Sequence, residues 1–215
     1  MKIALLVASL GFAAAAIAAP ITITNASFEN LPLGGLNSSC AGTNCAYSSG
    51  QGVPGWVVSS GGGQFTPGNP ANTIYFNSLP DGLTLGYLNS GTLSQTTAAT
   101  VVLGVTYTLQ VDVGVRKDCC VGIGLAFLNI GGTNIAATGS APASGAFSTY
   151  TAVYTGVLAD VGKSIGIVLG TPTSGQGDFD NVRLNDSTGA GVPEPASAAL
   201  IGAGLAGLAL LRRKR

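Results

Sequence analysis

Residues 106–115 read TYTLQVDVGV. Tyr107, Leu109, Val111, Val113 and Val115 alternate with Thr106, Thr108, Gln110, Asp112 and Gly114. Side chains along a strand point to opposite faces in turn, so strict alternation predicts a half-buried β-strand with its apolar face on a core. The same rhythm extends outward from this stretch. LTLGYLN (83–89) aligns Leu83, Leu85 and Tyr87, and SIGIVLG (164–170) aligns Ile165, Ile167 and Leu169. STYTAVYTG (148–156) is β-branched and aromatic, as strands prefer. VGIGLAFLNI (121–130) is more continuously apolar and reads as a central strand. Between these runs lie turn-forming clusters such as GVPGW (52–56), LPDG (79–82), NIGG (129–132) and TPTSGQGD (171–178). No helical stripe precedes the last twenty residues, and no fixed-period repeat is present. Many short strands separated by turns predict an all-β sandwich.

The two ends have a different character. Residues 1–18 carry Lys2, then an apolar stretch, then Ala16-Ile17-Ala18, the make-up of a secretory signal peptide cleaved after Ala18. At the other end, Ala196–Leu211 holds no charge and Arg212-Arg213-Lys214-Arg215 closes the chain. Sixteen helical residues extend about 24 Å, short of a hydrocarbon core of about 30 Å, and snorkelling arginines with local thinning make up the difference. The basic terminus then stays on the cytoplasmic side. The expected organisation is a signal peptide (1–18), a β-sandwich (19–187), a linker (188–195), a single transmembrane helix (196–211) and a basic stop (212–215). Gly202-Ala203-Gly204-Leu205-Ala206-Gly207 matches G-x-G-x-x-G. It lacks the βαβ unit and the acidic residue that a dinucleotide site needs.

Only 8% of the chain is charged and its formal net charge is zero. The balance hides an acidic middle. Between the two end segments stand Arg116, Lys117, Lys163 and Arg183 against Glu29, Asp81, Asp112, Asp118, Asp160, Asp178, Asp180 and Asp186. Such a surface argues against a nucleic-acid partner.

Pro193-Glu194-Pro195, the short Gly/Ala/Leu run and the basic terminus together resemble the PEP-CTERM sorting signal of Gram-negative bacteria that make exopolysaccharide. The same segment resembles the C-terminal domain of ice-binding proteins. The sorting-signal resemblance implies export by way of signal peptidase, then processing near the PEP triplet by an exosortase. The protein is expected in the membrane of the cell envelope before processing and at the cell surface or outside the cell after it. The middle resembles the jelly-roll domains of the galactose-binding-like and carbohydrate-binding-module type, through ITNASFENLP (23–32), VPGWVVSS (53–60), TYTLQVDVGVR (106–116) and DFDNVRL (178–184). That resemblance implies a structural Ca²⁺ where the first and last strands meet, and sugar binding on a face or loop rim.

The residues themselves offer candidates. Asp180 shares parity with Val182 and Leu184, which would aim a carboxylate at the core. A Ca²⁺ ion with Glu29 as second ligand would resolve that conflict. Hydrogen bonding to backbone N–H groups, or pairing with Arg183 or Arg116, is the competing role. Asp178 and Asp186 read as solvated turn residues. Trp56, the single tryptophan, is a candidate for stacking on a sugar or for a core plug. Tyr47, Phe65, Tyr75 and Tyr87 are further candidates for a binding face. Cys40, Cys45, Cys119 and Cys120 predict disulfides in an exported protein. A local Cys40–Cys45 bridge with a vicinal Cys119–Cys120 bridge, or two crossed bridges, both fit.

The chain has no histidine, which removes His-based triads, metal sites and general bases. No carboxylate pair stands in a recognisable constellation. The expectation is therefore a non-enzymatic surface or matrix protein, structural or adhesive and associated with polysaccharide. The alternatives are a carbohydrate-binding module with a defined site, an ice-binding surface and an aspartate-based glycoside hydrolase.

Overall fold

The computed structural model describes residues 18–68, 74–119, 122–171 and 175–188. The expected signal peptide, PEP triplet, transmembrane helix and basic stop lie outside the described residues. Pro20–Ser187 is one compact unit, and among the described residues thirteen strands form two sheets packed face to face, as the alternation predicts. The strands are β1 (Ala19–Ile21), β2 (Ser38–Ser39), β3 (Ala46–Tyr47), β4 (Val57–Val58), β5 (Gly62–Thr66), β6 (Leu85–Leu88) and β7 (Thr92–Thr100). They continue with β8 (Thr106–Gly114), β9 (Leu125–Ile130), β10 (Thr133–Ala136), β11 (Phe147–Thr155), β12 (Ser164–Gly170) and β13 (Gly177–Asp186). One 3₁₀ turn, Leu158–Asp160, stands between β11 and β12. Among the described residues no helix is long and apolar enough to cross a membrane.

The larger sheet runs β11-β8-β13-β6-β5-β3-β2, with β1 also paired to β13; the smaller runs β10-β9-β12-β7-β4. The opening stretch is a central strand of the larger sheet, antiparallel to both β11 and β13. Its apolar residues Tyr107, Leu109, Val111 and Val113 enter the core between the sheets. There they meet Leu128, Ile130, Ile165, Ile167 and Leu169 from the smaller sheet. Each fully buried Leu or Ile contributes about 1.5–3 kcal/mol, so this double layer dominates the stability of the sandwich.

The outer face of the larger sheet is covered as well. Loops fold over it and bury a second cluster of Phe65, Tyr75, Phe76, Leu85 and Tyr87. This explains why all four residues of β6 are buried. Leu83, aligned with Leu85 and Tyr87 by sequence, precedes the strand and is exposed.

One parity expectation fails for a local reason. The β13–β8 register shifts between Asp180 and Arg183, where Asn181 adopts φ 48°. Such a bulge inserts an extra residue and re-aims the side chains beyond it. Phe179, Val182 and Leu184 enter the core, while Asp178 and Asp180 point to the opposite, loop-covered face. Asp180 is buried, but not beside Val182 and Leu184 as simple alternation predicted.

Candidate active site

The register places one residue from each of five neighbouring strands in a row across the larger sheet. The pairs are Gly63 with Tyr87, Tyr87 with Asp178, Asp178 with Gly114 and Gly114 with Phe147. Cross-strand partners share a face, so Asp178 stands on the covered outer face between Tyr87 and Gly114. The two glycines are required by close approach. A Cβ on Gly114 would meet Phe147 ring carbon Cε1 at 2.5 Å, and one on Gly63 would meet the Ser48 hydroxyl at 2.3 Å.

Asp178 is fully buried, and neither carboxyl oxygen has a hydrogen-bond partner. Desolvation pushes its pKa up to about 8; the Arg116 charge acts in the opposite direction and Asp118 adds to the rise. Asp178 is therefore a neutral carboxylic acid at pH 7, a proton donor in water-poor surroundings. Its neighbours on the same face differ. Asp112 accepts hydrogen bonds from Thr149 at 2.6 Å and from Asn181 at 2.9 Å, and pairs with Arg183 at 3.1 Å. Asp180 accepts from the backbone N–H groups of Asp81 (3.0 Å) and Asn181 (2.7 Å). Of these three aspartates Asp178 alone is left without a partner.

The cavity beside this row has a volume of about 290 Å³ and is lined by Cys40, Tyr47, Phe65, Tyr87, Asn89, Arg116 and Gln176. Gln176 lies on β13's approach, two residues before Asp178. Arg116 forms two hydrogen bonds to the Asp118 carboxylate, at 2.9 and 2.7 Å, and one to Gln176 Oε1 at 2.7 Å. Gln176 in turn donates to Asn89 at 3.0 Å. The guanidinium lies 4.7 Å from the Tyr75 ring centre and 5.3 Å from that of Phe65. Burial works against the Asp118 charge, but its hydrogen bonds and attraction to Arg116 win and its pKa is lowered. A second cavity of about 340 Å³ is lined by Asp112, Phe147 and Thr149. A third, of about 440 Å³, shares Tyr47, Tyr87 and Asn89 with the first and continues along Gly50, Gln51, Gly52 and Ser60. The arrangement is an aromatic-walled pocket with one fixed cation and a polar trough leading away; the neutral acid Asp178 lies buried behind it, the register partner of the lining residue Tyr87.

The model of the HpiC1-like family, described as HpiC1 cyclase, matches residues 19–185. The chain belongs to the HpiC1-like cyclase family. Two cyclase structures from Fischerella resemble its fold. An apo cyclase from Fischerella sp. has a TM-score of 0.63 and 24% identity over 81% of this chain and 98% of that one. A cyclase from Fischerella sp. TAU has a TM-score of 0.60 and 22% identity over 81% of this chain and 100% of that one. Among curated proteins none matches the chain. Residues 191–215 match the PEP-CTERM protein-sorting motif, so this HpiC1-like domain is carried on an exported protein of the cell envelope or surface.

Membership of the HpiC1-like family corrects the expectation of a non-enzymatic protein. That expectation rested on missing histidines and missing carboxylate pairs. A single carboxyl kept neutral by burial can donate a proton with neither; Asp178, read from sequence as a solvated turn residue, is fully buried and without a hydrogen-bond partner.

The remaining candidates take these places in the HpiC1-like sandwich. Glu29 accepts from the backbone N–H groups of Leu83 (2.8 Å) and Thr84 (2.7 Å). It is close enough to Asp180 that, after burial, the Asp81 and Glu29 charges push the Asp180 pKa up to about 8. Among the described residues no group of three acidic or cysteine side chains converges into a metal cage. Trp56 is 6% exposed; its indole N–H donates to the Asn25 carbonyl at 3.2 Å, and its ring stacks on Phe28 at 5.4 Å. It occupies the core-plug position and offers no face to a sugar. Cys40 and Cys45 form the local bridge, which excludes the crossed pairing. Cys119 is also disulfide-bonded, and Cys120 lies outside the described residues. Tyr47, Phe65, Tyr75 and Tyr87, which the sequence could not rank, gather around Arg116 and the first cavity.

Proposed function

We propose that this exported domain catalyses an acid-promoted ring closure, with Asp178 as proton donor. The single observation that carries the reading is the fully buried, unpartnered Asp178 carboxyl held neutral beside an aromatic-walled cavity. The proton passes from Asp178 to a carbon–carbon double bond of the substrate. The resulting carbocation is attacked by an internal π bond or other nucleophile, which forms the ring. Loss of a proton from the ring product to the Asp178 carboxylate restores the acid. Aromatic faces attract cations, so Tyr47, Phe65 and Tyr87 stabilise the charged intermediate and shield it from water. Arg116, neutralised by Asp118, anchors the wall.

Reaction in ²H₂O tests the reading. An alkene carrying an internal nucleophile should yield ring product with one deuterium at the protonated carbon. In a single turnover of enzyme equilibrated beforehand in ²H₂O, product without deuterium would remove the acid role. Gly52 supplies a second test. It lines the polar trough and a Cβ there would meet nothing within 4 Å. Gly52→Trp should keep the melting temperature and weaken substrate affinity at least tenfold, which corresponds to about 1.4 kcal/mol. Unchanged affinity in a titration would show that the trough takes no part.

Calcium belongs to the same proposal. The carboxylate oxygens of Glu29 and Asp180 are of the hard type that suits Ca²⁺, and the cost of a buried charge at Asp180 favours a bound cation. Backbone carbonyls of the first loop would complete the shell. In the cell, signal peptidase removes residues 1–18, a helix at 196–211 holds the chain in the membrane, and an exosortase acts at Pro193-Glu194-Pro195. A matrix role with polysaccharide is the second reading, favoured by the sorting motif. The jelly-roll resemblance supports it at the level of fold, while the buried Trp56 removes its expected sugar platform.

A further inference from the structure

The end of the sandwich from which the chain departs carries an apolar patch that nothing in the catalytic proposal uses. The β7–β8 turn presents Val102 and Leu103, and the segment after β11 presents Val157, Leu158 and Val161. All five are exposed, Leu103 to 58% and Leu158 to 78%. Scattered exposed aliphatics mean little, but contiguous ones mark a contact surface. These are contiguous because backbone bonds tie the two segments together. Gly104 N–H donates to the Gly156 carbonyl (2.8 Å) and Gly156 N–H to that of Val105 (2.9 Å); Gly162 N–H donates to the Val101 carbonyl (2.9 Å).

The last described strand ends at the same place. Ser187 N–H donates to the Thr106 carbonyl at 2.8 Å, and Thr106 N–H donates to the Ser187 hydroxyl at 2.9 Å. Thr106 follows the Val102–Leu103 turn directly. From there residues 188–195 reach the uncharged run Ala196–Leu211. Eight extended residues span at most about 29 Å. Whatever surface holds that run is therefore within short reach of the patch.

We propose that this patch docks on the lipid bilayer, with the Val102–Leu103 and Val157–Leu158 tips entering the headgroup–acyl boundary. The proposal rests on the reading that residues 196–211 lie in the membrane. Two tethered contacts reinforce each other through high effective concentration, so a patch too small to bind lipid alone holds the domain down once the tail is inserted. Of the charges at this end, Asp160 and Lys163 are paired at 2.6 Å, and Asp186 stands opposite Tyr107 at the end of β13. The contact is thus apolar, and zwitterionic lipid suffices. Docking fixes the opposite end, where Asn89, Arg116 and the mouth of the first cavity lie, away from the membrane.

The full chain reconstituted into phosphatidylcholine vesicles tests this with brominated lipid as quencher. Trp56 is a constant buried background, so Leu103→Trp and Leu158→Trp each report one tip. Ser90→Trp, beyond β6 at the other end of the larger sheet, is the control. Emission at positions 103 and 158 should shift to the blue and be quenched at least threefold more than at position 90, with no effect of salt. Equal quenching at all three positions, in chains that float with the vesicles, would overturn the docking and leave the tail reading intact. Chains that do not float would overturn both. Weak quenching with cross-linked pairs through position 103 would overturn it in favour of a second copy of the chain.

Discussion

Asp178→Asn is expected to abolish ring closure and, at pH 8, to melt at a higher temperature than the parent. A carboxamide has the shape of the neutral acid but no proton to give, so activity should fall by about 10²–10⁴-fold. The stability effect has a definite sign. The unfolded carboxyl titrates near 3.9, and the folded one is pushed up to about 8. Between those values the folded state holds a proton that the unfolded state has lost. Stability is then fully present below about pH 4, falls as pH rises through the window, and levels off above about 8. Asparagine does not titrate, so the variant lacks this part of the slope. The two proteins should melt alike at pH 4. At pH 8 the variant should be several degrees higher, in parallel thermal melts across pH. An enzyme improved in stability by removal of its own acid is the expected trade between function and folding. A variant that is less stable at pH 8, or that keeps full activity, would count against the role.

Calcium should produce the second large effect. Asp180 has the same upward shift from burial, with the Asp81 and Glu29 charges adding to it. A bound cation would let Asp180 ionise and draw the Glu29 and Asp81 segments together. Calcium at one hundred times its dissociation constant stabilises by about 2.7 kcal/mol. For a domain of this size that is a rise of about 5–10 °C in melting temperature. Chelator should reverse it, and Asp180→Asn should remove the response while leaving the Asp178 acid in place. An unchanged midpoint in calcium and in chelator would dismiss the site. Without calcium, Asp180 contributes to the same loss of stability with rising pH as Asp178; with calcium, that part of the slope disappears.

The fold was legible because its signal is local. Alternation over residues 106–115 needs only the pleat of a strand, and the core faces of β8 and β12 followed from it directly. The direction of Asp180 was not legible, because one residue in a left-handed conformation, Asn181, reverses parity and no residue type at that position announces a bulge. The site was hidden for a different reason. Asp178 stands near a run of Ser, Gly and Gln and looks like a turn residue. The face it stands on is covered by residues distant in sequence, Cys45, Tyr75 and Phe76 among them, a long-range event without periodicity. The two glycines of its row, Gly63 and Gly114, make room for Ser48 and Phe147; they belong to different strands and meet in that row only through the register. Arg116 was read as a candidate partner of Asp180, yet it collects Phe65, Tyr75, Asp118 and Gln176. The absence of histidine was read correctly as excluding triads, and too broadly as excluding catalysis.

The central claim is that Asp178 is a neutral acid in the folded protein at pH 7. Carbon-13 NMR of protein labelled at the aspartate carboxyl carbons, titrated from pH 4 to pH 9 and compared with Asp178→Asn, reads it directly. The resonance missing from the variant should hold its protonated shift past pH 7 and titrate near pH 8. Titration of that resonance near pH 4 would contradict the account.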